Sequence, residues 1–268
     1  MSEPLITLII GTVILLFFVA VFYPDKGLIS VWRVYLSTSG KEQIEDALKH
    51  IFDCEYNRTL CNLNSIAGSL SISANRSSKI VEGLQERGLS VLNQDNIELT
   101  AEGRDYALRI IRVHRLWERY LADETSFNEV EWHAEAEKRE HTITPEQADE
   151  LAARIGNPLI DPHGDPIPSA TGEIPQREGI SITELEVGRY ATIIHLEDEP
   201  SQIYKQLVAM NLHIGQQIRL LESSAKSIRF EVDREIAVIA PLFAKNITVV
   251  EMPESYKEVK SFKKLSEL

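Results

Sequence analysis

The first apolar pattern in the chain is a nearly continuous run from Leu5 to Tyr23. At about 1.5 Å per residue, its roughly 19 residues are long enough to cross the apolar part of a bilayer. No basic residue precedes the run, and three follow it closely: Lys26, Arg33 and Lys41. This arrangement favours an uncleaved anchor over a cleaved signal peptide, with the body of the protein in the cytoplasm. We therefore expect residues 1–24 to be a transmembrane anchor and residues 25–40 a juxtamembrane segment that ends at Gly40.

From Lys41 the apolar residues recur at helical spacing, and short strands follow. The expected helices are 41–52, 63–70 and 75–87, and the expected strands are 89–92 and 97–99. The turn composition of Asn93 to Asn96 predicts that the two strands form a hairpin. Helix, helix–turn–helix and hairpin is the order of a winged helix–turn–helix domain, which we place at residues 41–103.

The third of these helices carries polar groups that suit base edges and phosphates. They are Asn75, Arg76, Ser78 and Lys79. An ordinary polar helix surface explains the same pattern, so the residues alone leave both interpretations open.

Three more helices and then strands are predicted beyond the hairpin. The helices are Thr100 to Ala122, Asn128 to His141, and one that opens on Thr144 as N-cap and Pro145 and ends at Gly156. Residues 157–176 are rich in Pro, Gly and Asp and read as loop. From Ile180 the period becomes two, which predicts a small barrel with strands at 190–195, 217–221, 228–232, 235–239 and 247–250 and a helix at 203–210.

Charge changes this picture only in detail. The net charge of −13 argues mildly against a simple nucleic-acid binder. The acidic excess, however, lies between Val113 and Gly179, where acidic residues outnumber basic ones by more than two to one.

The two cysteines, Cys54 and Cys61, form no CxxC pair, so a structural zinc knuckle is not expected and reduced lone thiols are the simpler interpretation.

The helix predicted from Asn128 to His141 has few large apolar residues and a stripe of metal-ligand types. His133, Glu137, Glu140 and His141 recur at i, i+4, i+7 and i+8. The preceding helix adds His114 and Glu118 at i and i+4. Imidazole and carboxylate groups suit Mn²⁺, Fe²⁺ or Zn²⁺. A solvated Glu/Lys face is the alternative, and the lack of an HExxH motif disfavours a metallohydrolase.

These motifs resemble those of a known family. Residues 46–168 resemble the iron-dependent (diphtheria-toxin-repressor-like) and manganese-transport regulators. Three segments carry the likeness: His114–Glu118, His133–His141 and Asp161–Pro168. Residues 180–251 resemble the family's SH3-like domain, also found in ferrous-iron transport protein A, through Leu207–Gly215.

The resemblance implies a homodimer that binds a palindromic operator when metal is bound. Its regulatory site would use Asp46, Glu137, Glu140 and His141. Its ancillary site would use His114, Glu118 and His133, with Glu199 and Gln202 as further ligands from the SH3-like domain. Glu137 stands where the iron-responsive branch has Cys, which favours Mn²⁺ or Fe²⁺, whereas Lys49 replaces a second carboxylate of the two-manganese branch.

The predicted protein is of the α+β class. Its expected parts behind the anchor are a winged helix–turn–helix (41–103), a metal-binding and dimerisation domain (104–167), a linker (168–179), an SH3-like domain (180–252) and a charged tail (253–268). We do not expect the protein to be an enzyme. We expect a metal-dependent DNA-binding regulator that represses metal-uptake genes. The alternative is a membrane-bound metal sensor or adaptor that acts on a transporter without binding DNA.

Overall fold

A computed structural model describes Thr12 and residues 28–253, with residues 28–39 described by their backbone alone. The chain divides into two compact units, Met1–Ala107 and Leu108–Leu268. Apart from Thr12, the anchor predicted for residues 1–24 lies outside the described residues. Within the described part, no helix combines the length and the apolar character needed to span a bilayer.

The first unit has the predicted order of helices and hairpin. Its elements are α1 (Leu28–Tyr56), α2 (Leu63–Ser69), α3 (Ala74–Glu86), β1 (Ser90–Asn93), β2 (Asn96–Leu99) and the start of α4 (Ala101–Glu124). Side-chain oxygens of Asn62 and Ser73 cap the free backbone N–H groups at the starts of α2 and α3. The two strands pair antiparallel, with Ser90 opposite Leu99.

The first helix is longer than the sequence pattern predicts. The helix expected to begin at Lys41 begins earlier, because α1 continues through Gly40 without a break. One glycine inside a helix costs only about 1 kcal/mol relative to alanine. No proline lies within α1, so no residue in it lacks the backbone N–H that the helix needs.

Buried apolar side chains from all three helices and the hairpin form the core of the first unit. They include Leu48, Ile51, Phe52, Ile66, Ile80, Leu84 and Ile97. The start of α4 comes very close to this layer at Gly103, where an added Cβ would lie 1.8 Å from the carbonyl oxygen of Leu89. Only glycine fits at that position without moving the backbone.

The second unit begins with helices. After α4 come a 3₁₀ turn (Glu129–Glu131), α5 (Trp132–Glu140) and α6 (Pro145–Arg154). The single helix expected from Asn128 to His141 is therefore divided: Asn128 caps the 3₁₀ turn, and His141 is the C-cap of α5. Thr144 caps α6 as predicted.

A six-stranded antiparallel sheet completes the second unit. Its strands are β3 (Ile180–Ser181), β4 (Tyr190–Leu196), β5 (Gln217–Ser223), β6 (Ile228–Val232), β7 (Glu235–Ile239) and β8 (Ile247–Glu251), in the order β3-β8-β4-β5-β6-β7. The short helices α7 (Ser201–Ala209) and α8 (Pro241–Ala244) lie between strands. Alternate strand residues such as Ile193, Leu220 and Phe230 form its core.

Candidate metal centre and recognition helix

Two helices of the second unit bring three predicted ligands together. His114 and Glu118 lie one turn apart on α4 and are 6 % and 1 % exposed, and His133 lies in the first turn of α5. His114 Nε2 is 3.0 Å from Glu118 Oε1 and 3.2 Å from His133 Nδ1. His133 Nδ1 is also 3.2 Å from Glu118 Oε1. We call these three residues, together with Asp198 and His163, the α4–α5 cluster.

The segment after β4 adds a carboxylate that is absent from the predicted ligands. Asp198 Oδ2 lies 2.7 Å from His133 Nδ1, and its side chain is 12 % exposed. Glu199, which was predicted, places Oε1 3.1 Å from His133 Nε2 but is largely exposed. Gln202, in the first turn of α7, is exposed. Asp198 is therefore the more buried acidic group from this segment.

His163 completes the α4–α5 cluster and was also absent from the predicted ligands. The residue is 2 % exposed, and neither ring nitrogen has a hydrogen-bond partner. Its Nε2 atom lies 3.7 Å from Glu118 Oε1 and 3.8 Å from Asp198 Oδ2. Two ligands of one transition-metal ion, each about 2.1 Å from it, lie about 3.0–3.5 Å apart. The two observed distances are slightly wider than this spacing, so a small inward shift would let these three groups hold a divalent cation. A buried imidazole without a partner costs free energy, which a bound cation would offset.

The loop that carries His163 holds it rigidly. The Asp161 carboxylate accepts the backbone N–H groups of His163 and Asp165, both at 2.9 Å. Gly164 has a φ of +96°, and an added Cβ would lie 2.0 Å from the Ile194 carbonyl oxygen. This loop is part of the Asp161–Pro168 segment that carries the family resemblance, and its one imidazole was the signal that could have identified His163.

Opposite charges stabilise each other inside the α4–α5 cluster. Burial raises the pKa of Glu118, but the positive charge of His114 and hydrogen bonds from His114 and His133 hold it well below its usual range. The pKa of Asp198 is also lowered: burial raises it, but the hydrogen bond from His133 outweighs that effect. Burial lowers the pKa of His133, but the surrounding carboxylates, Asp198 first, raise it strongly. The cluster is thus rich in negative oxygen donors beside imidazole nitrogens.

Three of the four residues predicted for the regulatory site belong to the second unit and lie beside this cluster. Glu140 is buried, and its Oε2 atom accepts a hydrogen bond from His114 Nδ1. That bond directs the other ring nitrogen of His114 to the cluster, as is usual for a metal-binding imidazole. His141 Nε2 lies 3.4 Å from Glu140 Oε1, whereas Glu137 is half-exposed with Oε1 3.6 Å from His133 Nε2. Asp46 belongs to the first unit, on α1.

Helix α3, whose polar residues were predicted to contact DNA, presents a polar face in the first unit. Asn75, Arg76 and Lys79 are exposed, and Ser78 is half-buried and donates a hydrogen bond of 3.1 Å to Glu82 Oε1. The opposite face is buried through Ser77, Ile80, Val81 and Leu84. The lining of a groove of about 640 Å³ beside α3 includes one acidic residue, Glu86, and four basic ones: Lys41, Arg76, Lys79 and Arg87. Cationic and amide groups on an exposed helix suit a nucleic acid.

Comparison with known proteins decides the family. Residues 100–169 match the iron dependent repressor metal-binding and dimerisation domain, and residues 180–251 match the FeoA domain. The iron-dependent repressor IdeR of Mycobacterium bovis is 31 % identical over 155 residues, which cover 55 % of this chain and 67 % of that protein. The chain belongs to the iron-dependent repressor family. The family resemblance found in the sequence is thereby confirmed.

Solved structures agree with this assignment. A manganese-dependent transcriptional repressor in complex with manganese is 29 % identical, with a TM-score of 0.72 over 78 % of this chain and 99 % of that one. The manganese regulator SloR is 27 % identical, with a TM-score of 0.69 over 78 % of this chain and 98 % of that one. The structural neighbours of this family member thus include manganese-dependent repressors.

A further relative carries a different description. A probable metal transport system membrane protein of Chlamydia trachomatis is 38 % identical over 88 residues, or 33 % of this chain. The chain spans only 20 % of that protein's length.

Proposed function

We propose that this member of the iron-dependent repressor family is a DNA-binding transcriptional repressor controlled by Mn²⁺ or Fe²⁺. The observation that carries the proposal is the α4–α5 cluster, in which the buried His163 lacks any hydrogen-bond partner and faces two carboxylates. Its donors are oxygen and nitrogen, which suit these ions better than soft ones. Bound metal would supply positive charge that neutralises the buried carboxylates.

Two metal sites are proposed. The ancillary site consists of the α4–α5 cluster: His114, Glu118, His133, His163 and Asp198, with Glu199 at its exposed edge. The regulatory site is proposed from the family resemblance and consists of Asp46, Glu137, Glu140 and His141. The adjacent imidazole and carboxylate of His141 and Glu140 support its second-unit half.

The proposed operator contacts come from α3 of each subunit in a homodimer. Asn75, Arg76 and Lys79 would reach bases or phosphates, and Ser78 would join them on release from Glu82. A dimer places two such helices on successive half-sites, which predicts a palindromic operator. Regulation then follows from linkage, because metal and DNA each favour the state that binds the other.

We further propose that residues 1–24 anchor the protein in the membrane, with its body in the cytoplasm. The apolar run from Leu5 to Tyr23 supports this proposal. The chlamydial relative described as a transport system membrane protein favours one alternative function. In that alternative, the chain is a metal sensor or adaptor that acts on a transporter without binding DNA.

The deciding experiment uses the full chain in detergent, incubated with a pool of genomic fragments in Mn²⁺, Fe²⁺ or chelator. Wild type should retain specific fragments only with metal. His141→Ala and Glu118→Gln should each weaken this retention, whereas Glu131→Gln, an exposed carboxylate outside the α4–α5 cluster, should not. Tight metal binding without retention of any fragment would contradict the repressor and favour the adaptor.

A further inference from the structure

The first unit contains a sulfur and imidazole cluster that the proposed function does not use. His50 and Cys54 lie one turn apart on α1, and Cys61 lies just before α2. One ring nitrogen of His50, Cys54 Sγ and Cys61 Sγ all lie within 4.8 Å of one another. Both sulfurs are buried, and neither is in a disulfide. We call these three residues the thiol cluster.

The spacing of the thiol cluster fits a tetrahedral cation. His50 Nε2 lies 3.6 Å from Cys54 Sγ. Zinc bonds of about 2.3 Å to sulfur and about 2.05 Å to nitrogen at the tetrahedral angle place the two ligand atoms about 3.6 Å apart. Ser65 Oγ lies 3.1 Å from His50 Nε2 and 3.6 Å from Cys61 Sγ, so a hydroxyl oxygen stands beside the same three atoms.

The chain around Cys61 connects the thiol cluster to the hairpin. The Cys61 N–H donates to Asn96 Oδ1 at 2.9 Å, and its carbonyl oxygen accepts the Ile97 N–H at 2.8 Å. Asn96 and Ile97 belong to β2. A cation held here would therefore join α1, the entry to the helix–turn–helix, and the wing.

Two sulfurs alone would also suit a disulfide between Cys54 and Cys61. The third group favours a metal site, because an imidazole has no part in a disulfide and the hydrogen bond between His50 and Cys54 places the two atoms at ligand spacing. The lack of a CxxC motif in the sequence hid this group, because its members are spaced as His-x₃-Cys-x₆-Cys.

We propose that His50, Cys54 and Cys61 form a second type of metal site, which binds a thiophilic cation such as Zn²⁺ with Ser65 or water as the fourth ligand. Thiolate and imidazole donors select softer ions than the α4–α5 cluster does. Binding stabilises the first unit by joining α1 to the wing. The proposal is independent of the repressor function, because it concerns the folding of the first unit.

The test is a Co²⁺ titration of the reduced full chain in detergent, with excess Mn²⁺ present to fill the carboxylate sites. Thiolate ligation produces a charge-transfer absorption in the near ultraviolet, and the chain has only these two cysteines. We expect the band to saturate at one Co²⁺ per chain and to disappear when Zn²⁺ is added. Cys54→Ser combined with Cys61→Ser should abolish it, and His50→Gln should weaken Co²⁺ binding at least ~10-fold.

Glu118→Gln is the matched control, because it alters the other metal centre and should leave the band unchanged. If that variant loses metal-dependent DNA retention and keeps the band, the two proposals are shown to be separate. If the double cysteine variant does not fold, Cys61→Ala alone should lose the rise in melting midpoint that Zn²⁺ gives wild type. Absence of the band in wild type, or a band unaffected by His50→Gln, would overturn the assignment, as would rapid formation of a Cys54–Cys61 disulfide with no Co²⁺ binding.

Discussion

Replacing His163 with leucine should have opposite effects on the metal-free and the metal-bound protein. The imidazole is 2 % exposed and neither nitrogen has a hydrogen-bond partner, and leaving a buried polar group unpaired costs about 1–3 kcal/mol. Leucine has a similar volume and no polar atom, so His163→Leu should stabilise the chelated protein by about 2 kcal/mol. For a unit of this size, that corresponds to a midpoint rise of about 4–8 °C.

Metal should stabilise wild type more than this variant. At a free Mn²⁺ concentration of about 100 times its Kd, wild type gains about 2.7 kcal/mol. Loss of one ligand that weakens binding about 10–100-fold reduces the gain to about 0.4–1.4 kcal/mol. Thermal and urea unfolding with chelator and with Mn²⁺ measure both quantities.

The control is His213→Leu, which replaces a more exposed imidazole outside the α4–α5 cluster and should preserve the Mn²⁺-dependent gain. A His163→Leu protein that is less stable in chelator and keeps the full gain would refute the reasoning. His163 would then be a hydrogen-bonded structural residue.

Three further predictions concern the first unit, α6 and the effect of pH. Gly103→Ala should destabilise the protein by about 1–3 kcal/mol in urea unfolding, because its Cβ would lie 1.8 Å from a backbone oxygen. Gly68→Ala, with no atom within 4 Å of the added Cβ, should instead stabilise helix α2 by about 0.5–1 kcal/mol. If Gly103→Ala and Gly68→Ala changed the free energy of unfolding equally, the packing argument would be contradicted. Thr144→Ala should lower stability by about 1 kcal/mol through loss of the α6 cap, and Thr144→Ser should preserve it. Burial lowers the pKa of His133, but the surrounding carboxylates, Asp198 first, raise it, so Mn²⁺ must displace a proton from the imidazole. The affinity for Mn²⁺ should therefore rise about tenfold per pH unit for each proton released. Calorimetry in buffers of different ionisation enthalpy measures the released protons, and finding none would exclude this prediction.

Elements with a regular hydrophobic period were predictable because burial on one face imposes that period. The strands β4 to β8 and the helices α2, α3 and α6 lie within a few residues of their expected bounds. The start of α1 was not predictable in the same way. Gly40 reads as a terminator in isolation, but its effect depends on whether the residues on both sides form a helix.

The proposed metal ligands divide along a similar line. His114 and Glu118 were predictable because helical spacing alone puts them on one face. Asp198 was not, because three consecutive acidic residues follow β4 and local sequence cannot tell which one turns inward. His163 depends on a loop whose backbone hydrogen bonds, rather than any periodicity, direct its ring toward Glu118.

The unbroken course of α1 has a mechanical consequence. Its 29 residues span about 43 Å, so the backbone from Leu28 to Tyr56 is a stiff helix rather than a flexible linker. In such a helix, inserting one residue before Gly40 turns the helical residues from Leu28 to Ser39 by about 100° relative to the hairpin, whereas inserting seven returns them to within about 20° of their former phase. The residue count of that stretch therefore sets the rotational phase between the start of α1 and the hairpin.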